Sequence, residues 1–108
     1  TLDATGVLSV DGELLPKEFA LHQNYPNPFN PTTNLRYDLP QDSHVLISIY
    51  DIRGREVRTL VNENQTAGYR LLHWNATNNY GQPVAAGMYI YTIQAGDFRQ
   101  VKKMILLK

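Results

Sequence analysis

Residues able to do acid–base, nucleophilic or metal chemistry are few in this chain, and they are scattered. The three histidines, His22, His44 and His73, fall on different stretches, and no pair has the spacing of metal ligands. Ser9, Ser43 and Ser48 lie outside any nucleophile-elbow pattern, and no Gly-rich phosphate loop is present. Cysteine is absent, so thiolate chemistry and disulfides are excluded. The Asn-rich turn from Asn75 to Pro83 offers oxygen donors but lacks the alternating acidic ligands of a calcium loop. Asn75-Ala76-Thr77 and Asn64-Gln65-Thr66 match the glycosylation tripeptide, a pattern short enough to recur by chance. The expectation is a non-enzyme with no catalytic residue, no metal and no cofactor.

Charge and length narrow the class further. Ten basic and ten acidic residues cancel, so no global field recruits nucleic acid or an anionic membrane. The distribution is uneven: Arg99, Lys102, Lys103 and Lys108 crowd the end of the chain with no acid among them. That basic end is either a docking feature or a solvated strand face. No apolar run approaches the roughly 20 residues of a membrane span. No signal peptide is visible and the first residue is Thr, which reads as the C-terminal piece of a longer protein. A chain of 108 residues fits one domain with a modest core.

The elements that must position these residues read as strands. Residues 1–16 are broken by Gly6, Gly12 and Pro16 and read as a linker to an upstream domain, leaving 17–108 as the folded unit. Glu18 to His22 is a first candidate strand. Pro26, Pro28 and Pro31 then predict a stiff, polyproline-like crossing, with Tyr25 and Phe29 pinning it to the body. Asn34 to Leu39 alternates cleanly, with Leu35, Tyr37 and Leu39 on one face. Val45, Ile47 and Ile49 form the inward row of the next strand. It runs into Tyr50-Asp51-Ile52-Arg53-Gly54, a type I turn closed by a left-handed Gly. Glu56 to Val61 is a strand, Asn62 to Gly68 a polar loop, and Tyr69 to Trp74 a further strand with Trp74 as core anchor.

The last stretch reads as a hairpin. Gly87 to Ala95 and Phe98 to Leu107 flank the two-residue loop Gly96-Asp97, which suits a type II′ turn. This register puts Tyr89 opposite Met104 and Tyr91 opposite Lys102. Either Tyr89, Tyr91 and Ile93 or Met88 and Ile90 would then form the buried row. The adjacent Lys102 and Lys103 must fall on opposite faces. Seven short strands with turn signals between them, and no helical period, predict an all-β, immunoglobulin-like sandwich of antiparallel strands.

Several segments taken together resemble the type A C-terminal sorting domain of the type IX (Por) secretion system. They are Phe19 to Pro31, Ile49 to Val57, Gly87 to Tyr91, and Lys102 to Lys108. The resemblance implies an immunoglobulin-like domain carried at the C-terminus of exported proteins of Gram-negative bacteria. It would be read in the periplasm by an outer-membrane translocon and passed to a sortase-like attachment complex, which removes it from its cargo at the cell surface. By position, the family motif falls on Pro26, Asn27, Pro28, Tyr50, Asp51, Gly54 and Arg55. Translocon recognition falls on Gly87, Tyr89, Lys102, Lys103 and Lys108. The span from Trp74 to Tyr89 also resembles the immunoglobulin-like domain of flagellar hook-capping proteins, which would make the chain a structural module. A carbohydrate-binding or spacer module of a secreted enzyme is a third reading, and an exposed row of aromatics would support it.

Overall fold

The computed structural model describes residues 7–8, through their backbone, and 14–107. Its strands are β1 (Val7–Leu8), β2 (Leu14–Leu15), β3 (Ala20–Leu21), β4 (Thr33–Leu39), β5 (Ser43–Tyr50), β6 (Glu56–Gln65), β7 (Gly68–Trp74), β8 (Gly87–Ala95) and β9 (Phe98–Leu106). A three-stranded sheet in the order β3-β4-β7 and a four-stranded sheet in the order β6-β5-β8-β9 build an immunoglobulin-like β-sandwich. All ladders in both sheets are antiparallel. β1 and β2 pair separately as a two-stranded ribbon within the stretch expected to be a linker. Among the described residues no helix is long and apolar enough to cross a membrane.

Alternation places the core, with Ser48 of β5 buried on the other face. Leu35, Tyr37 and Leu39 of β4 point inward against Val45, Ile47 and Ile49 of β5, and against Tyr89, Tyr91, Ile93 and Ala95 of β8. The row left open by the sequence is therefore Tyr89, Tyr91 and Ile93; Met88 and Ile90 face outward. Trp74 is 1 % exposed and closes one end of the core. Its ring meets Phe29 at 5.8 Å and Tyr89 edge-on at 5.6 Å, the offset geometries that aromatic quadrupoles favour. Its indole N–H donates to the Thr77 carbonyl at 2.9 Å, so burial leaves no polar orphan.

Two expectations are corrected. Asn62 to Gly68 is not a loop: β6 continues through Gln65 and only Thr66 and Ala67 separate it from β7. Cross-strand partners override the poor strand propensity of Asn and Glu here. His44 bonds both Asn62 and Asn64 across the ladder, at 2.8 and 2.9 Å, and the Tyr37 hydroxyl reaches Gln65 at 2.5 Å. Two register shifts in the β5–β6 ladder break the alternation of β6 that a sequence pattern would need.

The Pro-rich crossing is also not polyproline-like. The chain bends at residues 26–28 and again at 30–31 instead of running straight, and the Tyr25–Pro26, Asn27–Pro28 and Asn30–Pro31 peptide bonds are cis. Phe29 does pin the segment, at 1 % exposure, but Tyr25 does not: its side chain is 77 % exposed. The second pin is Asn24, which is buried. Its amide donates to the Pro26 carbonyl at 3.2 Å and to the Thr33 hydroxyl at 3.0 Å.

Candidate functional site

β9 is one of the two edge strands of the larger sheet, and the hairpin that carries it has the expected register. Tyr89 faces Met104 and Tyr91 faces Lys102. Ala95 pairs with Phe98 around Gly96, whose φ of +57° starts the two-residue turn. An edge strand ordinarily leaves a row of backbone groups unpaired. Here the Pro-rich segment covers the far half of that row. The Ile105 N–H donates to the Asn27 Oδ1 at 3.0 Å, the Phe29 N–H donates to the Ile105 carbonyl at 3.0 Å, and the Leu107 N–H donates to the Phe29 carbonyl at 2.8 Å. The Gln23 amide caps the Lys103 carbonyl at 2.7 Å.

The sequence motifs, separated along the chain, meet at this end of the sandwich. Asn27 touches β9, Gly87 lies opposite Leu106, and Tyr50 lies opposite Ile90. Asp51 follows Tyr50 and organises its turn as expected. The Gly54 N–H donates to the Asp51 carbonyl at 3.0 Å, with Gly54 at φ +84°. The Asp51 carboxylate accepts from the Arg53 and Arg55 backbone N–H groups at 2.9 and 3.0 Å and from the Arg55 side chain at 3.2 Å. Those donors, the Arg55 backbone N–H foremost, hold the Asp51 carboxyl below the usual carboxylate range.

The proposed recognition residues separate by face. Lys103 is exposed, while Lys102 points toward the core side and is half-buried. Lys103 lies across from Ile90, which lies across from Tyr50, so three strands contribute one outward row. Met88 and Ile105 form the next outward row away from the hairpin turn, each more than 40 % exposed. Together they make a basic, apolar surface on the outer face. Tyr89 belongs to the core instead: its ring packs on Trp74 and its hydroxyl donates to the Ala85 carbonyl at 2.6 Å. Burial, with the nearby Asp51 charge, raises its pKa. Pro26, Asn27, Pro28, Gly54, Arg55 and Gly87 are exposed, Tyr50 and Asp51 are half-buried, and Lys108 lies outside the described residues.

The apolar outer row of Met88, Ile90 and Ile105 was not identified as a surface by sequence reasoning. Its signal was the second alternating set of the hairpin, legible once the other set is known to be buried. Among the described residues, His22 and His44 stand apart on different sheets. His22 pairs with Asp38 at 2.9 Å on the outer face of the smaller sheet, and His44 is held between two asparagines on the larger one. Among the described residues no three His, Cys, Asp or Glu side chains form a metal-binding group. Asn75 and Asn64, the glycosylation candidates, already accept hydrogen bonds from Thr77 and pair with His44, respectively.

No curated protein matches the chain. Among solved structures, the fold is similar to latent dimeric PorU from Porphyromonas gingivalis, with a TM-score of 0.63 and 21 % identity over 87 % of this chain. It is similar also to PorZ, an essential bacterial surface component of the type IX secretion system of Porphyromonas gingivalis, with a TM-score of 0.54 and 18 % identity over 83 %. The chain spans only 10 % and 11 % of those two proteins. FlgD from P. aeruginosa gives a TM-score of 0.54 at 20 % identity, over 73 % of this chain and 67 % of that one. The family profile of the FlgD Ig-like domain matches residues 27–97, from the Pro-rich segment to the β8–β9 turn. The chain therefore belongs to the FlgD Ig-like domain family.

Proposed function

We propose that this domain is a non-catalytic sorting label of the type IX secretion system, read through the outer face of β9. The observation that carries the reading is the outward row of Lys103, Ile90 and Tyr50 beside Met88 and Ile105. It joins the terminal basic-apolar signal to the Tyr50–Asp51 motif on one accessible surface. The likeness to PorU and PorZ supports the same direction. On this reading the partners are an outer-membrane translocon and a sortase-like attachment complex, with an upstream cargo domain in the same chain. The domain would cross the periplasm and reach the cell surface or medium. Lys103 would meet an acidic group of the translocon while the apolar neighbours exclude water from the contact, the usual anatomy of a specific interface.

The test is a fusion of the chain to a periplasmic reporter in a type IX-competent host. Lys103→Glu and Ile105→Asp should each cut surface delivery at least tenfold. The purified fusions should keep the melting temperature of the parent. Full delivery by both folded variants sinks the proposal. A second reading is favoured by the family match and the FlgD structure: a structural module in a hook-capping type of assembly. An upstream hook-binding segment in the parent reading frame would favour it.

A further inference from the structure

The opposite face of the molecule carries a separate concavity. It lies on the outer surface of β3-β4-β7, has a volume of about 760 Å³, and is flanked by Tyr25 and Tyr69. The tyrosines are 77 % and 63 % exposed, and neither ring packs against another aromatic among the described residues. Register fixes their separation. Tyr25 bridges to Asn34 and Tyr69 pairs with Asp38, on opposite sides of β4. Four residues along the strand and two strand spacings across it put the two residues ~17 Å apart.

The floor between them is mostly polar. Asn34, Arg36 and Asp38 are the outward residues of β4, with Leu71 opposite Arg36. The Asp38 carboxylate is engaged by His22 at 2.9 Å. Arg36 is exposed, and its guanidinium makes no hydrogen bond or ion pair among the described residues. A guanidinium is a fixed charge with a fork of donors suited to a carboxylate. Two separated aromatic faces with amide, carboxylate and guanidinium groups between them fit an extended ligand with apolar ring faces and polar substituents at the ring edges. Single-stranded nucleic acid fits less well. Its successive bases need stacking partners one base apart and a uniformly positive groove, whereas these rings are widely spaced and Asp38 lies between them.

We propose that this groove binds an oligosaccharide bearing carboxylate groups. Sugar rings would stack on Tyr25 and Tyr69, and a sugar carboxylate would sit on Arg36. The site is independent of the sorting reading, because it shares no residue with the outward row of β9.

Affinity electrophoresis and calorimetry of the full chain with polygalacturonate, a neutral β-glucan and a single-stranded oligonucleotide test this directly. Polygalacturonate should bind. Tyr25→Ala and Tyr69→Ala should each weaken it at least tenfold, and Arg36→Gln should remove the preference for it over the glucan. Tyr80→Ala, at a still more exposed tyrosine on the 75–83 turn, should leave binding unchanged. The side chains exchanged are all exposed, so the fold should survive, and an unaltered urea midpoint checks this. No retention by polygalacturonate overturns the proposal. Equal retention by the glucan or the oligonucleotide, or binding indifferent to both tyrosine variants, overturns it too.

Discussion

The hydroxyl of Tyr91 stands between two backbone groups of one crossing segment. It accepts from the Asn24 N–H at 2.8 Å and donates to the His22 carbonyl at 2.8 Å. Asn24 lies 67 positions away in the chain. A single phenol from the middle of the larger sheet thus terminates β3 and starts the Pro-rich crossing that covers β9. Tyr91→Phe keeps the ring and strands both backbone groups. Leaving a buried polar group unsatisfied costs about 1–3 kcal/mol. A urea titration should show a loss in that range, and amide exchange should quicken first at Asn24.

The same hydroxyl sets an alkaline limit. Burial pushes the Tyr91 phenol up to about 12 and raises Tyr37 in the same direction. A proton held more tightly in the folded state stabilises it fully below the ordinary tyrosine value near 10. That contribution is lost as pH rises toward the folded value. For Tyr91 alone the loss should reach about 2–3 kcal/mol. Equilibrium unfolding between pH 9 and pH 12 should show stability falling steadily, with a shallower slope in Tyr91→Phe.

Asp51 works at the other end of the scale. Its folded value is depressed, chiefly by the Arg55 backbone N–H. Its contribution is therefore present above about pH 4 and is lost as pH falls through the folded value. Asp51→Asn should unfold at a lower urea concentration than the parent at pH 6, and the gap should narrow as pH falls into the acid range. At the closing position of the turn, Gly54→Val should cost about 1–2 kcal/mol, because φ is +84° there.

Trp74 and Tyr25 make a matched contrast in one measurement. Trp74→Ala removes a fully buried indole and should cost about 3–5 kcal/mol. Tyr25→Ala should stay within about 0.5 kcal/mol, since only its backbone is engaged. Thermal melts of the two variants side by side check both.

Removal of residues 102–108 should damage the sandwich itself. Met104 and Leu106 are fully buried, and Ile105 and Leu107 hold Phe29 through backbone bonds. The truncated chain should therefore lose its cooperative melt. Single exchanges at Lys103 or Ile105 should keep it.

Much of the sandwich was legible from local pattern. Leu35, Tyr37 and Leu39, and then Val45, Ile47 and Ile49, alternate with polar or small residues, and a strand with one buried face has period two. Gly96-Asp97 fixed a two-residue turn, and a turn of known length fixes register, which is why Tyr89 meets Met104. What escaped pattern depended on partners distant in sequence. Asn62 to Gln65 are strand residues because β5 supplies the pairing, not because their own propensity favours it. Tyr25 and Phe29 are both aromatics in one Pro-rich run, yet only Phe29 is buried; which one the core accepts depends on where Trp74 and β9 stand. Gathering Asn27, Gly87, Tyr50 and Lys103 at one end of the sandwich was likewise beyond any local window, because short-range chemistry sets how each segment bends while only the packing of two sheets sets which segments become neighbours.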